Sequence, residues 1–480
     1  MKSGSFVLVR LFFFSLLAGA AAPEESDASQ EPNPTDEPAA IQLTLQQAIE
    51  MALENNLDVV VSRLDTQVQA EGVASAKGVY KPSVSTSFNN LDSRSPAQNR
   101  LIGANVLAST GRTSASPGTR SSRTGGNYNI SWQNLRQTMN SAFSGFNPLY
   151  DAALSAQVVQ PLAQNFGLNP NKQRILVAQN SERISRHTFE VQVMDTVRDV
   201  SLAYLDLVFS IRDLEVARQS LKLAQDLLRN NRIQVEVGTM APIDVTEAEA
   251  EVAAREEAVI VAAEAILTFE DILKRLINDP ESPQFWETRY VPSTAPTMEE
   301  IQIDIAEAIQ VALQRQPLLQ ASRIELETRD YNVRYTKNQL LLQLDLVGSF
   351  ALSGIGGDRI VREDFAGAPR SVIPGGYGDA LDTLVGGDFR DWSLGLNVSY
   401  PLGKSQAEAQ HAQAQVSARQ QRARIDSNEI LTSQEVRGTA RAVDTNRKRI
   451  DATRVAHTSP WPPGHTTETR CFGVVGSSML

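Results

Sequence analysis

The chain has 480 residues, 41% hydrophobic and 21% charged, long enough for several ordinary domains. Its net charge of −11, with no basic domain set apart from the rest, argues against nucleic acid as a partner. Cys471 is the sole cysteine, so no disulfide can form within one chain.

Lys2 and Arg10 precede an apolar run at residues 11–17, followed by the small residues Ala18-Gly19-Ala20-Ala21-Ala22. A transmembrane helix needs about 18 or more uninterrupted apolar residues. Arg10 leaves too few, so residues 1–22 read as a cleaved secretory signal. No cysteine follows the run to carry a lipid anchor. No later run could cross a bilayer as a helix, so any membrane insertion must use β-strands. Residues 23–40 hold Pro23, Pro32, Pro34 and Pro38, six carboxylates and no basic residue, the composition of a disordered leader.

A first structural unit is expected over residues 41–278. Thr44 can cap a helix whose seam includes Leu45, Ala48, Ile49, Ala52 and Leu53, and helical character continues to about residue 79. Lys81-Pro82 ends it, and the period changes to two: Val84, Thr86 and Phe88 alternate with Ser83, Ser85, Ser87 and Asn89. Residues 92–126, rich in Ser, Thr and Gly with five arginines, read as a long exposed loop. Tyr128, Ile130 and Trp132 form a short alternating piece, and residues 152–162 alternate again until Pro161 closes them.

A long helical hairpin then occupies residues 169–278. Its first arm carries Val193, Val197, Val200, Tyr204, Leu207, Ile211, Leu214, Leu221 and Leu228, the three-and-four stepping of a coiled-coil seam. The returning arm repeats the pattern at Val245, Ala248, Val252, Val259, Ile266, Leu273 and Leu276. At 1.5 Å per residue the first arm would be roughly 100 Å long, too long for a compact domain. The seams are rich in Ala, Val, Thr and Ser, so one hairpin has too little apolar surface alone and should pack against copies of itself. The turn is Val237-Gly238-Thr239. Residues 279–300 form a Pro-rich linker.

A second unit, residues 301–457, repeats the first. Residues 45–53 match residues 305–313 at an offset of 260, which also relates Ser62-Arg63 to Ser322-Arg323 and Lys77 to Lys337. Strand patterns recur, with Leu342, Leu344, Leu346, Phe350 and Leu352 in one stretch and Trp392, Leu394, Leu396, Val398 and Tyr400 in another. A Gly-rich loop including Gly354, Gly356, Gly357, Gly375, Gly376, Gly386 and Gly387 is expected between them. It lacks the lysine and helix start of a phosphate cradle. Strands of about ten residues, apolar on one face and polar on the other, suit a membrane barrel with a wet interior. Helix resumes after Leu402 and reaches about residue 455, where Ser459-Pro460-Trp461-Pro462-Pro463-Gly464 stops it. The second hairpin is therefore expected to be incomplete, and residues 458–480 to be an atypical, disordered tail.

This order, signal, acidic leader, and twice helix, strand, loop, strand and long helix, resembles the TolC-like outer-membrane efflux proteins. The tip segment Val237-Gly238-Thr239-Met240-Ala241-Pro242-Ile243-Asp244-Val245 looks like that family's Val-Gly, spacer, Asp-Val motif. The resemblance implies an α+β membrane protein in the outer membrane of a bacterium, its helical part in the periplasm. It implies a homotrimer in which each chain gives four transmembrane β-strands to a shared twelve-stranded β-barrel, set in outer-membrane lipid, while antiparallel coiled-coil hairpins form a periplasmic α-barrel. It further implies a conduit docked to a periplasmic adaptor protein and an inner-membrane pump, exporting small molecules or polypeptides. Val237, Gly238 and Thr239 would be the docking turn, and Asp244 the tip carboxylate of the gate. Read locally, Asp244 is also a helix N-terminal charge favoured by the macrodipole.

No catalytic constellation, cofactor motif or metal spacing emerges. His187, His411, His457 and His465 are scattered, no serine sits in a nucleophile elbow, and the pairs Glu256-Glu257 and Glu270-Asp271 read as solvated helix faces. The competing reading is a secreted or surface coiled-coil structural or adhesion protein whose strands form a soluble sheet.

Overall fold

The computed structural model describes residues 40–458 except 97–104, 142, 278, 280–285, 295, 297–301, 363–368 and 403–404. The expected signal, the leader up to residue 39 and the tail from residue 459 lie outside the described residues, as does much of the linker.

Each unit opens with two helices end to end. In the first, α1 (Leu45–Asn55) starts from a capping box: the Thr44 hydroxyl accepts from the Gln47 amide while the Gln47 side chain accepts from the Thr44 N–H. The continuous helix expected to residue 79 breaks at Asn56, whose extended backbone ends α1 and whose side chain caps α2 (Leu57–Lys77). The second unit repeats this as α5 (Ile305–Arg315), capped by Asp304, and α6 (Pro317–Asn338), where Pro317 takes the first-turn position that proline tolerates. The offset of 260 residues seen in the sequence thus relates α1 to α5 residue for residue.

From the first pair the chain enters a β-sheet and returns as α3 (Pro170–Glu236), a single helix of 67 residues capped by Asn169, followed by α4 (Pro242–Ile277). The buried stripe of α3 runs through Thr196, Val200, Ala203, Tyr204, Leu207, Ser210, Leu214 and Ala224. Val200, Tyr204, Leu207 and Leu214 belong to the expected seam, but small and polar Thr196, Ala203 and Ser210 take positions between them. That choice lets α4 and α2 approach closely. In the second unit α8 (Gln406–Thr458) packs on α5 and α6 through Ala414, Ala418, Gln421, Ile425, Thr432 and Ala440. Polar contacts bind α3 to α6: Gln173 to Asn332 at 2.7 Å, Asn180 to Thr328 at 2.9 Å and Arg183 to Glu327 at 2.6 Å. Among the described residues no helix is long and apolar enough to cross a membrane.

A core at mid-height joins the hairpin to the first helix pair. Tyr204, Leu207, Val200, Leu273 and Ile277 pack with Ala48, Ala52 and Leu43. Beside them β1 (Ala40–Leu43) pairs in parallel with β7 (Arg289–Pro292), which lies inside the stretch expected to be linker. The buried Tyr204 hydroxyl donates to the Leu43 carbonyl at 3.0 Å and accepts from the Thr294 N–H at 2.9 Å, tying that small sheet to α3.

The large sheet has eight strands: β2 (Ser83–Val84), β3 (Ser87–Pro96), β4 (Val106–Ser121), β5 (Asn127–Met139), β6 (Phe146–Pro161), β8 (Gln343–Arg362), β9 (Pro369–Ile373) and β10 (Phe389–Ser399). β2 and β3 both pair with β4 and form one interrupted column. The interruption faces Pro117: Ser85 N–H donates to its carbonyl at 3.1 Å, but Pro117 has no N–H to return. The order is then β2/β3, β4, β5, β6, β8, β10, with β9 on the outer end of β8, every neighbour antiparallel.

Two expectations fail here. The stretch 92–126 expected to be an exposed loop instead contains the end of β3 and all of β4, and the described residues form six long strands, not four. Ser, Thr and Gly are poor strand formers in isolation, but in β4 they fit against large neighbours: Gly118 lies opposite Ile130, and Ser116 opposite Trp132. Hydroxyl pairs across the ladder, including Ser83 with Thr119 at 2.8 Å and Thr110 with Thr138, add bonds that a loop would leave to water.

The expected Gly-rich loop is also partly strand. β8 continues through Gly354 and Gly356, where a side chain would collide with the backbone of α7 (Tyr377–Gly386). Ala380 and Leu384 of α7 are buried there against Ala152.

Candidate functional site

The hairpin tip is shaped by its backbone. Val237 caps the C-terminus of α3, Gly238 takes the left-handed conformation with φ of 79°, and the Thr239 amide donates back to the Gln234 carbonyl at 2.9 Å. The Thr239 hydroxyl donates to the same carbonyl at 3.0 Å, so two donors cover one orphan acceptor of the helix end. Val237, Gly238 and Thr239 are all exposed, placing the three expected docking residues together at one end of the molecule.

Asp244 sits in the first turn of α4. Its Oδ2 accepts from the Ala241 N–H at 3.3 Å, and its own N–H donates to the Ala241 carbonyl at 3.1 Å. The carboxylate therefore has a local role in starting α4, where the positive end of the helix dipole favours it. Its half-buried position beside Asn231, whose side chain donates to the Asp244 carbonyl at 3.4 Å, also couples the two arms. One turn further, Arg232 pairs with Glu249 at 2.8 Å across the hairpin.

Two features of this region escape a reading by motif. Ile233, Val237 and Ile243 give the tip an exposed apolar rim. More extensive is a second stripe along α3, Leu202, Phe209, Val216 and Leu223, spaced seven residues apart and 46%, 60%, 60% and 63% exposed. It lies beside the buried stripe and is uncovered by the chain's own elements. Its signal was in the sequence as a heptad of large apolar residues, hidden because the first seam already accounted for the helix.

The sheet supplies the other surface. One row of partners reads Val84, Gly118, Ile130, Ala156, Phe350 and Trp392 across all six columns. The adjoining row on the opposite face reads Ser83, Thr119, Asn129, Gln157, Ser349 and Ser393. An apolar face backed by a polar one is what a wall between lipid and water requires.

Of the scattered histidines, two make local side-chain contacts, and His465 lies outside the described residues. His187 contacts Glu190 at 2.9 Å, and His411 contacts Thr336 and Gln415. Among the described residues no group of His, Cys, Asp or Glu could hold a metal ion. Glu270 is not on a solvated face. It is buried, paired with the buried Lys274 at 3.3 Å, and accepts from the Tyr290 N–H at 3.0 Å, while Lys274 donates to the Trp286 carbonyl at 3.1 Å. The pair holds the segment entering β7 against α4.

Comparison with known proteins agrees with this architecture. The outer membrane efflux protein BepC of Brucella suis biovar 1 (strain 1330) is 22% identical over 426 residues, covering 87% of this chain and 73% of BepC. The Campylobacter jejuni CmeC outer membrane channel superposes with a TM-score of 0.58 at 15% identity, over 86% of this chain and 73% of that one. The outer membrane protein VceC of Vibrio cholerae superposes with a TM-score of 0.57 at 13% identity, over 86% and 82%. The model of the outer membrane efflux protein family matches residues 48–279 and 308–459, and the chain belongs to that family.

Proposed function

We propose that the chain is the outer-membrane conduit of a tripartite efflux or type I secretion assembly. Three copies associate, their sheets closing a barrel in the outer membrane and their hairpins a tunnel across the periplasm. The conduit is passive; an inner-membrane pump supplies the energy and a periplasmic adaptor connects the two. Cargo, small molecules or polypeptides, passes along the polar face of the sheet.

The observation that carries this reading is the uncovered heptad stripe Leu202, Phe209, Val216 and Leu223, which water disfavours and a neighbouring helix would bury. The tip serves as the docking surface. Val237 and Ile243 offer apolar contacts on either side of the Gly238 turn, and three copies of Asp244 set a ring of carboxylates at the periplasmic entrance.

The test is fractionation of cells expressing the full chain, followed by gel electrophoresis of the outer-membrane fraction with and without boiling. A heat-dissociable band at about three chain masses is expected for a closed cyclic oligomer. A chain that runs as a monomer under both conditions, or that remains in the soluble fraction, would refute the proposal.

A further inference from the structure

The inserted hairpin β4–β5 is a full-length part of the wall and not a decoration of its rim. The periplasmic end of the sheet is fixed by its junctions with helix: β2 follows α2, β6 leads to α3, and β8 follows α6. The turn between β4 and β5 descends to that same end. There Gly125 adopts φ of 99°, Thr124 accepts from the Gly167 N–H at 3.1 Å, and the buried Asn169 cap of α3 donates to the Arg123 carbonyl at 3.0 Å. With 16 residues in β4 and 13 in β5, both strands exceed the 9–11 residues needed to cross a bilayer.

Their side chains continue the two faces of the sheet. Tyr128, Ile130 and Trp132 of β5 extend the apolar surface of β6, β8 and β10. On β4 the same face carries the small neutral Ser114, Ser116 and Gly118, with Arg112 and Arg120 at either end, about 26 Å apart along the strand. At the roughly 35–45° tilt of barrel strands this is about 20 Å of height, and the long arginine side chains can extend the rest of the way to the interfaces of a band about 25 Å tall.

The six columns alternate in direction, β3 running outward and β10 running back to the periplasmic end. Both outer columns, β3 and β10, are exposed along their whole length and carry unpaired backbone groups that lipid cannot satisfy. With 10 and 11 residues they match in length, and they run in opposite directions, as antiparallel pairing between neighbouring copies requires.

We infer that three copies of this chain close an eighteen-stranded barrel, six strands from each, in place of a twelve-stranded wall. This rests on the trimeric conduit proposed above. Barrel diameter grows roughly linearly with strand number, so the outer-membrane pore is about 1.5-fold wider than a twelve-stranded one.

Electron cryomicroscopy of the full-length protein in lipid nanodiscs tests both levels separately. A threefold particle with eighteen strands and β10 beside β3 of its neighbour is the expected result. A threefold particle whose wall has twelve strands, with β4–β5 folded into the lumen or out of the membrane, would overturn this inference and leave the conduit standing. A particle without threefold symmetry would overturn both. Thiol labelling gives a second readout in a Cys471→Ser background. In an eighteen-stranded wall Ser131→Cys faces the lumen and reacts with a charged maleimide about tenfold faster than lipid-facing Ile130→Cys. Equal rates at the two positions would count against the inference.

Discussion

Asn56 serves two helix ends at once. Its Oδ1 accepts from the amides of Asp58 and Val59 at 2.9 and 3.3 Å, and its Nδ2 donates to the Leu276 carbonyl at the end of α4, at 3.1 Å and out of contact with water. Asn56→Ala removes a cap worth about 1 kcal/mol and leaves a buried carbonyl unpaired at about 1–3 kcal/mol more. A loss of about 2–4 kcal/mol in denaturant-unfolding stability is expected, and an unchanged unfolding midpoint would refute the double role. Gly238 makes the opposite kind of demand. No atom lies within 4 Å of where its side chain would be, so only its positive φ resists substitution. Gly238→Ala should cost about 1–2 kcal/mol at the tip alone, read as roughly five- to thirtyfold faster amide exchange at Gly238 and Thr239 without a change in global melting. Exchange at the native rate would mean the turn is not strained. Thr44 was legible as a cap because a polar residue preceded an apolar period. Asn56 was not, because that period runs on unbroken past it.

At the scale of elements, buried charge replaces apolar packing where β7 meets α4. Lys274→Met leaves Glu270 buried beside the Tyr290 amide with its positive partner gone, and a cost of about 3–5 kcal/mol is expected. Replacing both, Glu270→Leu with Lys274→Met, should recover most of it, since an isolated buried charge costs more than a matched apolar pair. A double variant as unstable as the single one would show that the bonds to Tyr290 and Trp286, and not the ion pair, do the holding. The sequence does not reveal this pair because charge on a helix is ordinarily solvated, and only the approach of residues 286–290 covers it. The same limit applies to β4. The helices, their caps, the repeat and the strands around Leu346, Leu396 and Ala156 could all be read from period and punctuation. β4 could not, because its Ser, Thr, Gly and Arg become strand-like only when Trp132 and Ile130 stand opposite.

The whole molecule is a chain with two unfinished surfaces, a sheet open at both edges and a long helix with one stripe buried and one bare. The chain's own helices α1, α2, α4 and α6 cover α3 on one side only, so the stripe Leu202, Phe209, Val216 and Leu223 on its other side must find its partner elsewhere. Burying one Leu or Phe contributes about 1.5–3 kcal/mol, so Phe209→Asp with Leu223→Asp removes about 3–6 kcal/mol of association per chain, before the cost of desolvating the new carboxylates. Both positions are exposed within the single chain, so its own fold should keep its helix content by circular dichroism while the heat-dissociable oligomer disappears. Leu207→Asp is the control from the other stripe. Leu207 is 1% exposed against the chain's own core, and its substitution should unfold the hairpin base itself. If the double variant still forms the oligomer, the bare stripe is not the interface. If it loses helix content as Leu207→Asp does, the two stripes are not separable and assembly is part of folding. The first outcome would move the contact to the sheet edges alone, where β10 and β3 would have to hold three chains together by backbone pairing.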